Sequence, residues 1–251
     1  MILYFSGTGN SRYVAKSLAG LLKEDTVAIH KRIRAEDHTP IRSEGPLIFV
    51  VPTYAWRVPR LVEEWITKMR FYGNQNAYFI LTCGDSIGNA EKYAIRLCAK
   101  KKFQFMGVYE IVMPENYLLL FNVPEEPEAI ANVMRADYFI EKAAGFIQTG
   151  KRFPGTAPTP VQKLSGGLVN ELFYDFLVHD RKFYVTEDCV SCGHCAAVCP
   201  LHDIRLVDGV PYWSGKCTHC LRCITSCPTC AIEYGKSTWG KWRYHCPISI
   251  E

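Results

Sequence analysis

The feature that most constrains this sequence is a set of eight cysteines that repeats itself. The stretch CVSCGHCAAVCPLHDI, residues 189–204, matches CTHCLRCITSCPTCAI, residues 217–232, at a constant offset of 28 residues. Each copy has the spacing C-x2-C-x2-C-x3-C-P. An internal repeat of this kind predicts two similar units packed on each other. The chain has twelve cysteines in total, and these eight lie between residues 189 and 227. Such clustering indicates that this part of the chain binds metal.

The spacing of the cysteines predicts which group they hold. Three cysteines on one short loop can ligate three irons of a four-iron cube, and the fourth lies too far along the chain, so it ligates the other cube. We therefore predict two 4Fe–4S clusters. Their ligands are Cys189, Cys192, Cys195 and Cys227 for cluster I, and Cys217, Cys220, Cys223 and Cys199 for cluster II. Structural zinc usually takes two separated ligand pairs, and disulfides are rare in a reducing cytosol.

Over residues 183–235 this pattern resembles the bacterial two-cluster ferredoxins, which implies a small α+β domain. Between the copies, IRLVDGVPYW predicts a hairpin that turns at Asp208 and Gly209. Cys230 falls opposite His202 in the repeat, so we interpret it as a small buried filler and not a ligand. Cys98 and Cys246 are also predicted not to be ligands.

The first 150 residues alternate strand and helix patterns. Strands are predicted at 2–5, 26–29, 47–51, 77–81 and 108–112, helices at 58–69, 90–101 and about 128–148, and a further helical pattern runs from Val14 to Leu22. The continuous apolar run at 47–51 is typical of a central parallel strand that is buried on both faces. Five such units predict an α/β fold with a doubly wound five-stranded parallel sheet.

The stretch YFSGTGNSRYV follows the first strand and predicts a phosphate site. A P-loop needs a Gly-Lys pair that is absent here. A dinucleotide fingerprint needs a third glycine where the chain has Arg12. A single phosphate group, held by hydroxyls and by the N–H groups that begin a helix, remains the best interpretation. A serine-rich helix cap without a ligand is the alternative.

This loop is similar to the first loop of the flavodoxin family, which implies that FMN is the ligand. The resemblance also implies that two further loops, after the third and fourth strands, flank the flavin. The predicted FMN-binding residues are Ser6, Gly7, Thr8, Gly9, Asn10, Ser11, Thr53, Tyr54, Ala55, Trp56, Thr82, Cys83 and Gly84. Tyr54 or Trp56 is expected to stack on the ring, with ordinary packing of Trp56 left open.

Three regions follow from these patterns. Residues 1–149 form the flavodoxin-like domain, 150–182 a linker with a bridging helix, and 183–251 the ferredoxin domain with its tail. In the bridging helix, a stripe formed by Leu168, Leu172 and Phe176 is predicted to pack one domain on the other. The tail KSTWGKWRYH is interpreted as a cover over the iron–sulfur part. The segment MPENYLLLF after the fifth strand is long enough to reach either the flavin or the ferredoxin domain.

The combination resembles the flavodoxin–ferredoxin fusion proteins of anaerobic prokaryotes, which implies electron transfer between FMN, two clusters and redox partner proteins. No residue is a convincing acid–base or nucleophilic catalyst, so whether the chain is an enzyme stays open. The alternatives are a flavin-dependent reductase of a small substrate and a redox-sensing interaction module.

Charge and hydropathy limit the classes of partner and the cellular location that the sequence predicts. The formal charge of +4 falls to about zero with two clusters, and FMN removes roughly 1.5 to 2 more. Strong electrostatic steering to a basic partner is therefore not predicted, and because basic residues are spread along the chain we expect no nucleic-acid partner. No apolar segment approaches the length of a membrane span, and no signal peptide is evident. These patterns predict a cytoplasmic protein of unspecified oligomeric state.

Overall fold

A five-stranded parallel sheet forms the N-terminal half of the computed structural model, which describes residues 1–155 and 170–250. Its strands are β1 (Ile2–Tyr4), β2 (Thr26–Ala28), β4 (Leu47–Pro52), β6 (Asn76–Cys83) and β7 (Gln104–Val112). The spatial order is β2-β1-β4-β6-β7, which is the flavodoxin-like order when these strands are counted along the chain. The predicted fold class is therefore confirmed.

Helices cover both faces of this sheet. They are α1 (Asn10–Leu22), α2 (Ile29–Arg34), α3 (Arg60–Lys68), α4 (Ala90–Lys101) and α5 (Glu126–Gln148). The helix α5 begins with glutamates in its first turn and a proline at Pro127, which favour a helix start. Within the described ranges, every helix is too short or too polar to span a bilayer.

The sheet separates two apolar cores, and β4 shows why. Phe49 and Val51 belong to the core on one face, whereas Ile48 and Val50 belong to the core on the other. Alternate residues of a strand point to opposite faces, so a strand buried on both faces must be apolar throughout. A short parallel pair of strands, β3 (Ile41–Ser43) with β5 (Phe71–Gly73), was not predicted, because a three-residue strand is too short to show a periodic pattern.

The C-terminal half consists of small elements. They are β8 (Phe183–Val185), α6 (His194–Val198), β9 (Ile204–Val207), β10 (Val210–Trp213), α7 (Arg222–Thr225) and β11 (Ile232–Tyr234). The strands β9 and β10 pair antiparallel. Between them, Asp208 has φ 49° and Gly209 has φ 81°, as a two-residue hairpin turn requires. The predicted hairpin is confirmed.

The prediction that an apolar stripe packs one domain on the other is wrong in its described part, because Leu172 and Phe176 are 46% and 70% exposed. The segment still contacts both halves, through Asn170 to the carbonyl oxygen of Tyr54 and through the carbonyl oxygen of Leu177 to the Tyr234 hydroxyl. The chain forms a π-helical turn at Phe173–Leu177, and its wider turn changes which residues share a face. Asn170 is fully buried instead. Leu168 and residues 156–169 lie outside the described residues.

The C-terminal tail reaches further than the sequence indicates. It does contact the iron–sulfur part, since Arg243 pairs with Glu233 at 2.6 Å. Beyond that point, Ile248 and Ile250 pack against one core of the N-terminal sheet. The tail therefore joins the two halves of the molecule.

Candidate functional site

The eight repeated cysteines gather around two small cavities. One cavity is lined by Cys199, Cys217, Cys220 and Cys223, together with aromatic and aliphatic side chains. The other is lined by Cys189, Cys192, Cys195 and Cys227. These are the two groupings that the sequence predicts, each with three cysteines of one copy and the last cysteine of the other.

The repeat extends to the backbone. Left-handed residues occur in pairs at the same offset of 28, namely Ser191 and His219, Gly193 and Leu221, and His202 and Cys230. Only glycine adopts this conformation without cost, and five of these six residues are not glycine. A strained conformation persists only where the surrounding structure imposes it. The two loops are therefore built to the same design.

The cavity of the Cys199 quartet has the chemistry expected of a site for a negatively charged cluster. Arg222 and Trp213 line it, and the buried Arg222 Nε and Trp213 Nε1 have no hydrogen-bond partner among the described residues. Burial raises the pKa of Cys220 to about 11, so without a metal the buried thiol stays neutral. Iron–sulfur clusters are held by thiolates, which a metal's positive charge would favour.

No group of three or more His, Cys, Asp or Glu side chains within residues 1–155 and 170–250 is close enough to hold a single metal ion. A four-iron cube differs from a single ion because each cysteine binds a different iron, which keeps the sulfurs apart. The quartets surround cavities and do not converge on one point. The residues present therefore suit a cluster better than one zinc ion.

A larger cavity of about 510 Å³ lies at the carboxyl edge of the parallel sheet. Three loops line it, after β1, β4 and β6, which is where ligands bind in open α/β sheets. The structure brings together all the predicted FMN-binding residues at this cavity except Gly9. Its volume lies within the range of about 300–1,000 Å³ that is usual for cofactor and ligand sites.

The loop after β1 presents hydrogen-bond donors to this cavity. Among the described residues, the backbone N–H groups of Thr8, Asn10 and Ser11 donate to no protein acceptor. Ser11 Oγ lies 2.7 Å from Thr82 Oγ1, which joins two of the three loops. Gly9 caps α1 with φ 109°, a conformation that favours glycine. Unpartnered N–H groups at a helix start suit an anion.

The loop after β4 is strained. Ala55 and Trp56 have φ values of 47° and 59°, and such values are unusual for residues that carry a side chain. Asn170 holds the turn by donating from Nδ2 to the carbonyl oxygens of Tyr54 and Ala55, both at 3.1 Å. Trp56 is 41% exposed, lines the cavity and packs against Gly88, where an added Cβ would lie 2.6 Å from its ring.

Part of the cavity wall comes from the segment MPENYLLLF, for which the sequence left two destinations open. Glu115, Asn116 and Tyr117 line it, and Asn116 Nδ2 donates to Thr8 Oγ1 at 2.7 Å. The next residue, Leu118, is buried with the side chains of the cysteine-rich half. The segment after β7 thus reaches both regions between which the sequence left the choice open. Its position after the fifth strand was the available signal.

The large cavity at the sheet edge, called the flavin-type cavity because predicted FMN-binding residues line it, shares a wall with the Cys199 cavity. Thr218, Cys220 and Leu221 line both of them. Tyr117, on the flavin side, hydrogen-bonds through its hydroxyl to His219 Nδ1 at 2.9 Å. Burial lowers the pKa of His219 to about 4, so this histidine is neutral near pH 7. One cysteine loop therefore separates the two cavities.

The other four cysteines differ from one another. Cys230 is exposed, so the prediction of a buried filler is wrong. Its left-handed backbone, with φ 54°, continues the turn after Cys227 and leaves the side chain outside. Cys98 is buried in α4, and burial raises its pKa to about 12. Burial also raises the pKa of Cys83 and Cys246, which argues against reactive thiolates.

No protein-family model matches the chain. Its C-terminal part is similar to a "Ferredoxin-like protein in nif region" of Nostoc sp. (strain PCC 7120), with 30% identity covering 24% of this chain and 61% of that protein. The protein of the same name from Trichormus variabilis is 28% identical, with the same coverage. The chain thus spans about three-fifths of the length of these curated relatives.

Among solved structures, the Trp repressor binding protein from Bacillus subtilis aligns with a TM-score of 0.35 and 13% identity. The alignment covers 59% of this chain and 97% of that one. The flavodoxin-like order of the sheet is read from the strands of this chain themselves. Together, the ferredoxin-like relatives and the clustered cysteines support iron–sulfur electron transfer.

Proposed function

We propose that this chain is an electron-transfer protein that holds FMN and two 4Fe–4S clusters and exchanges electrons with redox partner proteins. The observation that carries the proposal is the shared wall, because Cys220 lines both the flavin-type cavity and the Cys199 cavity. FMN would accept or release two electrons, one at a time, and each cluster would exchange one.

The residues of the chain have separable tasks in this proposal. The loop Ser6–Ser11 would bind the FMN phosphate through its free N–H groups and hydroxyls. Trp56 would cover the ring, and the Asn170 contacts keep its loop in place. The cysteine loop at 217–223 would hold cluster II against the flavin. The proposal includes a flavodoxin-like domain at 1–149, a linker with a bridging helix at 150–182, and a ferredoxin domain at 183–251.

The entry point for electrons is proposed at cluster I. Cys192 is exposed, and the neighbouring Val190 is 63% exposed. In the quartet proposed for cluster II, by contrast, no cysteine is exposed, since Cys223 is buried and the other three are half-buried. A partner would therefore reach cluster I directly and the flavin through cluster II.

The test is a reductive titration of the holoprotein without oxygen. We expect uptake of about four electrons per chain, two by FMN and one by each cluster. The proposal also requires that reduction begun at the clusters reaches the flavin within a single chain, at a rate independent of protein concentration. Flavin reduction that scales with protein concentration would contradict the intramolecular route.

A second candidate function rests on space beside the flavin-type cavity. A neighbouring open cavity of about 660 Å³ shares Gly84, Pro114 and Glu115 with it. Such a cavity would admit a small substrate next to the flavin, as a flavin-dependent reductase requires. This candidate predicts that reduced holoprotein is reoxidised by a small electron acceptor with a saturable rate, and a rate strictly linear in acceptor concentration would oppose it.

A further inference from the structure

The outer face of the phosphate loop is covered by the C-terminal half of the chain. A Cβ added to Gly7 would lie 2.0 Å from the Cys220 carbonyl oxygen. A Cβ added to Gly9 would lie 2.7 Å from Cys246 Cβ. Two glycines are thus required where the cysteine loop and the tail press against the loop.

Hydrogen bonds fix this contact at alternate positions of the loop. Arg222 Nη1 donates to the Ser6 carbonyl oxygen at 2.7 Å. The backbone N–H of Cys246 donates to the Thr8 carbonyl oxygen at 2.9 Å. A third hydrogen bond, of 2.5 Å, runs from the hydroxyl of the fully buried Tyr244 to the side-chain oxygen of Asn10.

The tail is itself tied to the Cys199 cavity. His245 hydrogen-bonds through Nε2 to the carbonyl oxygen of Thr225, in the short helix α7 that carries Cys223. Arg222, which holds Ser6, lines the same cavity. Both segments that cover the phosphate loop are therefore anchored on α7, the short helix that carries Cys223.

The quartet proposed for cluster I contacts the tail, since Arg243 donates to the carbonyl oxygen of Ile232, which lines its cavity, but within the described part of the chain it does not reach the phosphate loop directly. Among the described residues, the lining of its cavity includes no residue that also lines the flavin-type cavity. The repeat therefore supplies an internal comparison. Cys195 and Cys223 occupy equivalent positions, 28 residues apart, and each is 7% exposed.

We propose that FMN binding is coupled to cluster II and not to cluster I, with Arg222 as a positioning residue for the phosphate loop. The inference rests on the proposed function. A bound cluster II orders the 217–223 loop, which then supports the phosphate loop from outside. FMN binding to this ordered loop is tighter because less ordering remains to be done. Coupling is reciprocal, so FMN also retains cluster II.

The test compares Cys223→Ala with Cys195→Ala, each purified without oxygen. Each variant should lose about half of its iron. FMN affinity, measured by quenching of flavin fluorescence, should weaken about 5- to 150-fold for Cys223→Ala and stay at the wild-type value for Cys195→Ala. Equal affinities in the two variants would overturn the coupling while leaving the proposed function intact.

A second pair of variants, which keeps every cysteine, tests the coupling if Cys223→Ala does not fold. Arg222→Gln removes the bond to Ser6 and keeps all cysteines, and His194→Gln is its counterpart in the first copy of the repeat. We expect weaker FMN binding only for Arg222→Gln, with full iron content in both.

In the wild-type protein, we also expect bound FMN to slow the loss of iron to a chelator for about half of the iron, the half that belongs to cluster II. A wild-type chain that binds no FMN would refute the proposed function and the coupling together, whereas unchanged affinity in Arg222→Gln would refute the coupling alone.

Discussion

Replacing Gly7 with alanine would push against the contact between the phosphate loop and the cysteine loop of the other half. The φ of Gly7 is outside the left-handed region, so the backbone accepts alanine, and the effect comes from the contact alone. The added Cβ would lie 2.0 Å from the Cys220 carbonyl oxygen and 3.1 Å from its carbon. Because both atoms belong to the backbone, no side chain can move aside, and one of the two loops must shift.

The magnitude follows from the cost of overpacking a close contact. Such substitutions cost about 1–3 kcal/mol. For a chain of this size that lowers the Tm by roughly 2–12 °C. The displaced loop also carries the N–H groups proposed for the phosphate, so we expect FMN affinity to fall by about tenfold or more.

The control lies in the helix that follows. Gly20 is within α1, and a Cβ there would meet nothing within 4 Å, so Gly20→Ala should raise stability by about 0.5–1 kcal/mol. Thermal unfolding and flavin titration of both variants provide the assay. Gly7→Ala protein that is as stable and binds FMN as tightly as wild type would refute the tight contact between the halves.

Three further predictions follow from individual contacts. Asn170→Ala removes the donors that hold the strained turn, so we expect a loss of about 1–3 kcal/mol of stability and weaker flavin binding, checked by urea unfolding and flavin titration; Asn122→Ala, at an exposed site, serves as the control. Ser11→Ala removes the buried contact with Thr82, and an unfolding free energy lower by about 1 kcal/mol is expected; an unchanged value would count against that hydrogen bond. Burial, with Arg222, Lys31 and Arg12 nearby, lowers the pKa of His30 to about 3. Stability should therefore decline by about 1 kcal/mol per pH unit as the pH falls below 6.5, and His30→Gln should lack this part of the slope when unfolding is compared at several pH values.

The sequence predicts those parts of the molecule that depend on local pattern. Alternating strands and helices predict the five-stranded sheet, and α4 has the predicted bounds, Ala90–Lys101. The regular cysteine spacing predicts both quartets that the structure brings together. The positions of strand ends also predict the flavin-type cavity, because parallel strands share a carboxyl edge.

The contacts that join the halves are not visible in the sequence. The bond from Arg222 to Ser6 links residues 216 positions apart, and no periodicity reports such a pair. The burial of Asn170 could not be predicted either. A polar residue next to an apolar stripe is usually exposed, whereas Asn170 is fully buried. Cys230 was misjudged because cysteine is usually buried, whereas its left-handed turn leaves this one exposed.

The most direct test of the account is the content of iron, acid-labile sulfide and extractable flavin in protein purified without oxygen. We predict about eight irons, eight sulfides and one FMN per chain. Eight irons without flavin, even after incubation with FMN, would contradict the proposed flavin site and reduce the account to an iron–sulfur protein with an unassigned cavity. Iron near zero after cluster reconstitution would contradict the central claim.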